Sequence, residues 1–184
     1  MKLVNEIDLI KTTKCLQIGK VIAYPTESCY GLGCDPDNID AIEHIYDLKE
    51  RPSTLPFIII ISQWGHLSNF NCIISAEQKK QIDATWPGPV TWLIPVKNKH
   101  RLASDQKKIA VRMTDHPIAK AICNHWGGPV VSTSANPHGL PSAKTADEVN
   151  QYFSDKIGYI YDGPIGNRKK PSDIFDLETN QQLR

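Results

Sequence analysis

Apolar side chains recur along this chain at two spacings, and the spacings alternate. Between residues 6 and 18, Ile7, Leu9, Ile10, Thr13 and Leu16 form a stripe of helical period, and Gly19 stands where a helix can end. Residues 21–24 read as a strand. Residues 25–36, rich in small and polar side chains, read as a loop. Behind Asn38, a capping residue type, Ile39, Ile42, Ile45 and Leu48 recur every third position and predict a second helix.

Pro52 and Pro56 bracket a further loop. The run Phe57-Ile58-Ile59-Ile60-Ile61 is short, mostly β-branched and continuous, which predicts a central strand covered on both faces. Ser75 and Gln78 have capping-box spacing ahead of a helix over 76–85, and Pro87-Gly88-Pro89 stops it before a strand over 90–96. A strand over 109–113 leads to a helix over 116–126, with Asp115 as its cap and Gly127-Gly128 at its end. Residues 129–132 begin another strand, Thr145 and Glu148 repeat the capping-box spacing before a helix to about residue 153, and short strands follow at 159–161 and 174–176. No internal repeat is visible. Helices alternating with short apolar strands predict one α/β domain over residues 1–184, in two or three layers with a largely covered sheet. Ligands of open α/β sheets collect outside strand ends, so the loops leaving strands are where chemistry is expected.

Length and charge narrow the classes. At roughly 150 residues per domain, 184 residues make about one domain. Such a domain buries about 70% of its unfolded surface, so no disulfide or metal staple is required. A net charge of +1 argues against bulk positive charge as the basis of nucleic-acid affinity, so any anion site must be local. The longest apolar run is strand-sized, which argues against a membrane span. Glu6 and Asp8 interrupt the place where a signal peptide needs an apolar core. Five cysteines form no CxxC pair and are odd in number, which fits reduced thiols in a cytoplasmic protein.

Several familiar chemical solutions are absent. There is no GxxxxGK[ST] phosphate loop, Gly31-Leu32-Gly33 lacks a third glycine at dinucleotide spacing, and the six histidines form no HExxH or HxxxH. Four segments remain. Pro25-Thr26-Glu27-Ser28-Cys29-Tyr30-Gly31-Leu32-Gly33 leaves a strand with hydroxyls and glycines that suit either a ligand clasp or a hydrogen-bonded turn. Lys49-Glu50-Arg51-Pro52 ends a helix, and the proline favours an extended Arg51, so that two cations can share one anion or simply complement the helix dipole. Arg112, at a strand end among apolar residues, needs an anionic partner: a substrate carboxylate or an internal one. Ser132-Thr133-Ser134-Ala135-Asn136 leaves another strand with three hydroxyls and an amide. The basic stretches at 166–172 and 97–101 read as solvated charge runs, the first also as a flap.

Taken in order, PTESCYGLG from Pro25, KERP from Lys49, WPGPVTW from Trp86, AVRM from Ala110, STSAN from Ser132 and RKKPSDIFD from Arg168 resemble the threonylcarbamoyl-AMP synthase (TsaC/YrdC-like) family over essentially the whole chain. The resemblance implies a YrdC-like fold: a twisted open mixed α/β sheet with flanking helices and a concave, positively lined cavity. It implies a nucleotidyltransferase that makes threonylcarbamoyl-AMP and diphosphate from L-threonine, bicarbonate or CO2, and ATP. Its partners would be proteins that transfer the threonylcarbamoyl group to tRNA, with a direct tRNA contact left open, and no membrane.

Residue by residue, the resemblance implies ATP contacts for Lys49, Arg51, Ser134, Asn136 and Ser142. It implies threonine contacts for Thr26, Tyr30, Arg112, Ser132 and Ser172. No covalent nucleophile and no protein metal ligand are implied, because the threonine amine and then the carbamate oxygen are themselves the nucleophiles, and Mg2+ can ride on the phosphates. Ser53-Thr54-Leu55-Pro56 departs from the more polar stretch usual after the family's KxRP, and the chain resembles the short, single-domain branch. Two other readings stand beside this one: an RNA-binding or ribosome-maturation module without catalysis, and an adenylating domain that uses carbamoyl phosphate in place of threonine.

Overall fold

The computed structural model describes residues 4–51, 57–98 and 100–184. Its helices are α1 (Glu6–Gln17), α2 (Ile39–Lys49), α3 (Ala76–Asp83), α4 (Pro117–Trp126) and α5 (Ala146–Phe153). Its strands are β1 (Ile22–Pro25), β2 (Tyr30–Gly33), β3 (Ile58–Ile61), β4 (Val90–Pro95), β5 (Lys108–Met113), β6 (Val130–Ser134), β7 (Tyr159–Ile160) and β8 (Asp173–Asp176). A short 3-10 segment, Trp64–Phe70, follows β3 and carries no clear sequence signal. No helix among the described residues is long and apolar enough to cross a membrane.

The caps explain where the helices begin. Asn38 accepts from the Ala41 N–H, and Ser75 and Gln78 satisfy each other's backbone in a complete capping box. Thr145 accepts from the Glu148 N–H, but the Glu148 carboxylate turns to the Lys144 N–H, so the second box is only half formed. Asp115 is not the cap of α4. His116 occupies that position without a side-chain cap, and Pro117 opens the helix, its missing N–H costing nothing in the first turn. In α1 the buried side is Leu9, Thr12, Thr13 and Leu16, while Ile7 and Ile10 are exposed. At roughly 100° per residue Ile7 falls nearly opposite that stripe, so three-residue spacing alone misassigned it.

The eight strands form one mixed sheet in the order β7-β1-β2-β6-β3-β5-β4-β8. β3 is central, parallel to β5 and antiparallel to β6. The stretch expected as a loop contains β2, which returns along β1 as an antiparallel hairpin with Pro25 opposite Tyr30. Gly33 serves the strand and not a loop: a Cβ there would lie 2.5 Å from the Val131 carbonyl oxygen and 2.8 Å from the Tyr24 ring.

Side-chain alternation divides the sheet into two faces. On one, Ala23, Leu32, Ile59, Ile61, Val111 and Val131 pack with Ile42 and Ile45 of α2 and with Val149 and Phe153 of α5. On the other, Ile22, Tyr24, Ile60 and Val130 pack with Leu9 and Leu16 of α1 and with Ile118 and Ile122 of α4. The register also puts Gly31, Ser132, Ser134, Ile58, Ala110 and Leu93 on this second face. That is the part of the sheet the two helices leave open.

Candidate active site

The open part of the sheet is the floor of a cavity of about 400 Å3, whose lining includes Gly31, Ser132, Ser134, Ile58, Ala110 and Leu93. Small residues in adjacent strands lower the floor and make it concave. The β1–β2 turn supplies one wall through Thr26, Ser28, Cys29 and Tyr30; Arg51, Phe57 and Ser142 supply another; Pro171, Ser172, Leu183 and Arg184 supply a third. Among the described residues no Asp or Glu lines it.

Two positively charged poles border this cavity, one at Arg112 and one at Arg51. Arg112 shares a face of β5 with Ala110 and is buried, 8% exposed. Its Nη2 lies 3.1 Å from Oε2 of Glu27, so its internal partner exists. Glu27 is held in turn by the Thr114 hydroxyl, which donates to Oε1 at 2.7 Å, and by the Asp115 N–H at 3.2 Å. Burial alone would raise the Glu27 carboxyl; the Arg112 charge and these hydrogen bonds outweigh it and hold the carboxyl below its ordinary range. Yet Arg112 Nε and Glu27 Oε2 are both buried with no hydrogen-bond partner. The guanidinium therefore lines the cavity with its pairing to Glu27 incomplete.

The residues expected for threonine line the same cavity. Ser132 and Ser172 are buried on the cavity wall, and Ser172 Oγ lies 2.8 Å from Thr91 Oγ1. Thr26 Oγ1 donates to the Cys29 carbonyl at 2.7 Å, which tightens the β1–β2 turn. Tyr30 donates to the Gly163 carbonyl at 2.7 Å and accepts from the Gly163 N–H at 3.0 Å; burial pushes its phenol up to about 12.

The second pole is built at the end of α2. Glu50 takes a left-handed conformation, φ 49°, at a cost of about 1 kcal/mol for a residue with a Cβ. This turn sends Lys49 and Arg51 to different places. Lys49 is buried and does not line the cavity: its ammonium donates to the carbonyls of Ser134 at 2.6 Å and Asn136 at 2.9 Å and to Asn136 Oδ1 at 3.3 Å. Burial, aided by the neighbouring Arg51 charge, lowers its pKa to about 8. Arg51 lines the cavity, its guanidinium 5.2 Å from the centre of the Phe57 ring and its Nε buried without a partner. Of the two cations, Arg51 thus stands at the wall and Lys49 clamps the strand-exit loop behind it. Asn136 belongs to that clamp, since it accepts from Ser134 Oγ at 2.6 Å and is not itself in the lining; Ser134 and Ser142 are.

The two charge runs resolve into contacts. Arg168 Nη2 pairs with Asp173 at 2.8 Å, and the N–H groups of Gly166 and Arg168 donate to the carbonyls of Thr26 and Glu27. This segment is strapped to the β1–β2 turn. Arg101 pairs with Glu43, and His100 lies 3.7 Å from Asp37. The expected loop between Pro52 and Pro56, with the departure at Ser53-Thr54-Leu55-Pro56, lies outside the described residues.

Sequence reasoning missed Glu27 as a site residue, although it stands inside PTESCYGLG. It also missed Arg184, whose Nε donates to the Ser172 carbonyl at 3.2 Å and Nη2 to Ser172 Oγ at 3.3 Å. The signal for Glu27 was present: one acid among small residues at a strand exit, with an unpaired Arg elsewhere. Nothing local marks Arg184, which is brought to the wall by the pairing of Phe175 with Gln182 and by the Ile174 N–H donating to its carbonyl at 3.0 Å.

A mixed α/β sheet with a cavity on its open face, bordered by arginines and, among the described residues, by no Asp or Glu, is an arrangement suited to small anionic substrates. The chain matches the Sua5/YciO/YrdC family, described as "Telomere recombination", over residues 14–184, and belongs to it. Among its relatives, the threonylcarbamoyl-AMP synthase of Vibrio campbellii is 43% identical over 175 residues, covering 93% of this chain and 95% of that protein. That of Vibrio parahaemolyticus is 45% identical over 173 residues, covering 92% and 94%. The structure of P. abyssi Sua5 complexed with L-threonine superposes with a TM-score of 0.91 at 30% identity, covering all of this chain and 55% of that one. E. coli YciO superposes with a TM-score of 0.82 at 25% identity, covering 96% and 87%.

Proposed function

We propose that this chain is a threonylcarbamoyl-AMP synthase, an ATP-using nucleotidyltransferase. L-Threonine, bicarbonate and ATP give threonylcarbamoyl-AMP, diphosphate and water; with CO2 as the carbon source no water is released. The single observation that carries the reading is the buried Arg112, incompletely paired with Glu27, lining one cavity with Arg51 and several serines and, among the described residues, no Asp or Glu. Arg112 takes the amino-acid carboxylate, as a planar fork of donors suits. Thr26, Tyr30, Ser132 and Ser172 surround that amino acid. Arg51, Ser134 and Ser142 meet ATP directly, and Lys49 and Asn136 act by holding Ser134 in place. Arg184 adds a third guanidinium to the cavity lining.

The reaction needs little else from the protein. The threonine amine attacks the carbon of CO2 or bicarbonate. One carbamate oxygen then attacks the α-phosphorus, and diphosphate leaves with the electron pair of the broken P–O bond. Two substrates fixed side by side supply effective concentration, and the guanidinium groups meet charge that develops on the phosphates. A magnesium ion accompanying ATP would be held by phosphate oxygens and water, because the described lining offers serine and threonine hydroxyls and no Asp or Glu side chain. In the cell the product would pass in the cytoplasm to proteins that transfer the threonylcarbamoyl group to tRNA.

The test is diphosphate release from ATP in bicarbonate buffer with and without L-threonine. Strict dependence on threonine is expected. Equal release without it rejects the synthase. Salt-sensitive tRNA binding with no threonine turnover would instead favour an RNA-binding module.

A further inference from the structure

Resting on the reading that Arg112 takes the threonine carboxylate, we infer that Glu27 is the positioning residue for that contact, setting where the Arg112 donors point. Glu27 does not line the substrate cavity. It borders a second hollow of about 330 Å3, shared with Asp115, His116 and Arg168. Its carboxylate is fixed from the far side by Thr114 Oγ1 and the Asp115 N–H, and its backbone carbonyl accepts from the Arg168 N–H. A Cβ on Gly166 would lie 2.7 Å from that same carbonyl oxygen, so the strap over residue 27 is pressed close.

The geometry of the pair is what gives it a role. A bidentate salt bridge would consume the guanidinium edge. Here Nη2 and Oε2 approach to 3.1 Å, yet neither Oε2 nor Arg112 Nε completes a hydrogen bond. Glu27 thus holds the guanidinium by charge more than by a paired fork, and Arg112, which lines the substrate cavity while Glu27 does not, can still turn to a visiting carboxylate. His116 sits beside Glu27 with Nε2 donating to the Pro164 carbonyl at 3.1 Å, so its ring is oriented by the strap and not by the acid.

Charge and position predict opposite signs. Glu27→Gln keeps the shape and removes a negative charge beside the site. If local charge alone governed threonine binding, the variant would bind threonine more tightly. If Glu27 positions Arg112, it binds more weakly. We expect the threonine KM to rise about tenfold, the scale on which misplaced groups act, with the ATP KM unchanged within about twofold. Preference for L-threonine over L-threoninol, which keeps the amine and lacks the carboxylate, should fall by about the same tenfold, whereas a loosened fold would weaken both analogues and ATP together.

Thr114→Val removes one hold on Glu27, and with it the acceptor of the His116 N–H, without touching charge or cavity, and should shift the same ratio in the same direction by a few-fold; it carries the test alone if Glu27→Gln does not fold. A threonine KM that falls or stays unchanged in these variants overturns the inference. Arg112→Gln separates the two levels: if it keeps the full preference for threonine over threoninol, the carboxylate reading itself is wrong. If it loses that preference while Glu27→Gln and Thr114→Val keep it, only the positioning role fails.

Discussion

The two poles of the cavity are both cationic, but they are built on opposite principles. Arg112 rises from the middle of a sheet and has a resident counter-charge 3.1 Å away. Arg51 and Lys49 stand at a helix end, and among the described residues no carboxylate lies within ion-pair distance of either; Lys49 is held by neutral oxygens and Arg51 by an aromatic face. A charge-balanced guanidinium on a rigid strand suits one small carboxylate that must be placed well. Unneutralised cations suit a polyanion whose attraction is long-ranged. The difference teaches that position is controlled at one end and charge at the other.

Arg112→Ala should produce the largest effect. It strands Glu27 as a buried charge, which typically costs about 3–5 kcal/mol, and threonine turnover should vanish with it. Thermal melting and threonine KM report the two losses. Pairing Arg112→Met with Glu27→Gln should restore much of the stability and none of the threonine affinity, so a stable double variant with a normal threonine KM would break the comparison.

Arg51→Ala comes next. It removes a charge-assisted contact worth about 1.5–3 kcal/mol, so ATP affinity should drop roughly ten- to a hundredfold with little change in threonine KM. Equal losses for both substrates would show that the poles are not separate.

The Lys49 clamp predicts a pH dependence with two signs. As pH rises through about 8 the ammonium loses the charge that holds three oxygens, and ATP affinity should decline. Stability moves the other way. The unfolded lysine keeps its proton up to its ordinary 10.5, so between about 8 and 10.5 the unfolded state binds more protons and this group's contribution to stability increases with pH. ATP KM and denaturation midpoints at pH 7 and 9 read both, and Lys49→Arg, which stays charged, should flatten the first. Ser75→Ala, at the α3 cap far from either pole, gives the smallest effect: about 1 kcal/mol of stability and neither KM altered.

The isoleucine run of β3, the caps at Asn38 and Ser75 and the αL glycine after α4 act within a few residues of themselves, which is why they were readable one segment at a time. β2 was not, because Tyr30-Gly31-Leu32-Gly33 has the composition of a turn and becomes a strand only through β1 and β6 on either side. Nor was the direction of Lys49, which depends on one left-handed residue after it. The motifs named the neighbourhoods of Thr26, Arg112, Ser132 and Ser134, since alternation already places Ser132 with Ser134 and Ala110 with Arg112.

By itself, then, the chain's order of residues determined the helix and strand alternation, the central strand and the hydroxyl and guanidinium groups available at strand exits, because periodicity, capping and residue chemistry are local properties. The tertiary structure alone decided which of those groups share a cavity, that Arg112 meets Glu27 from 85 positions away, and that Lys49 holds a loop while Arg51 faces the ligand space. Those outcomes depend on sheet order and register, which bring together segments that no local pattern connects.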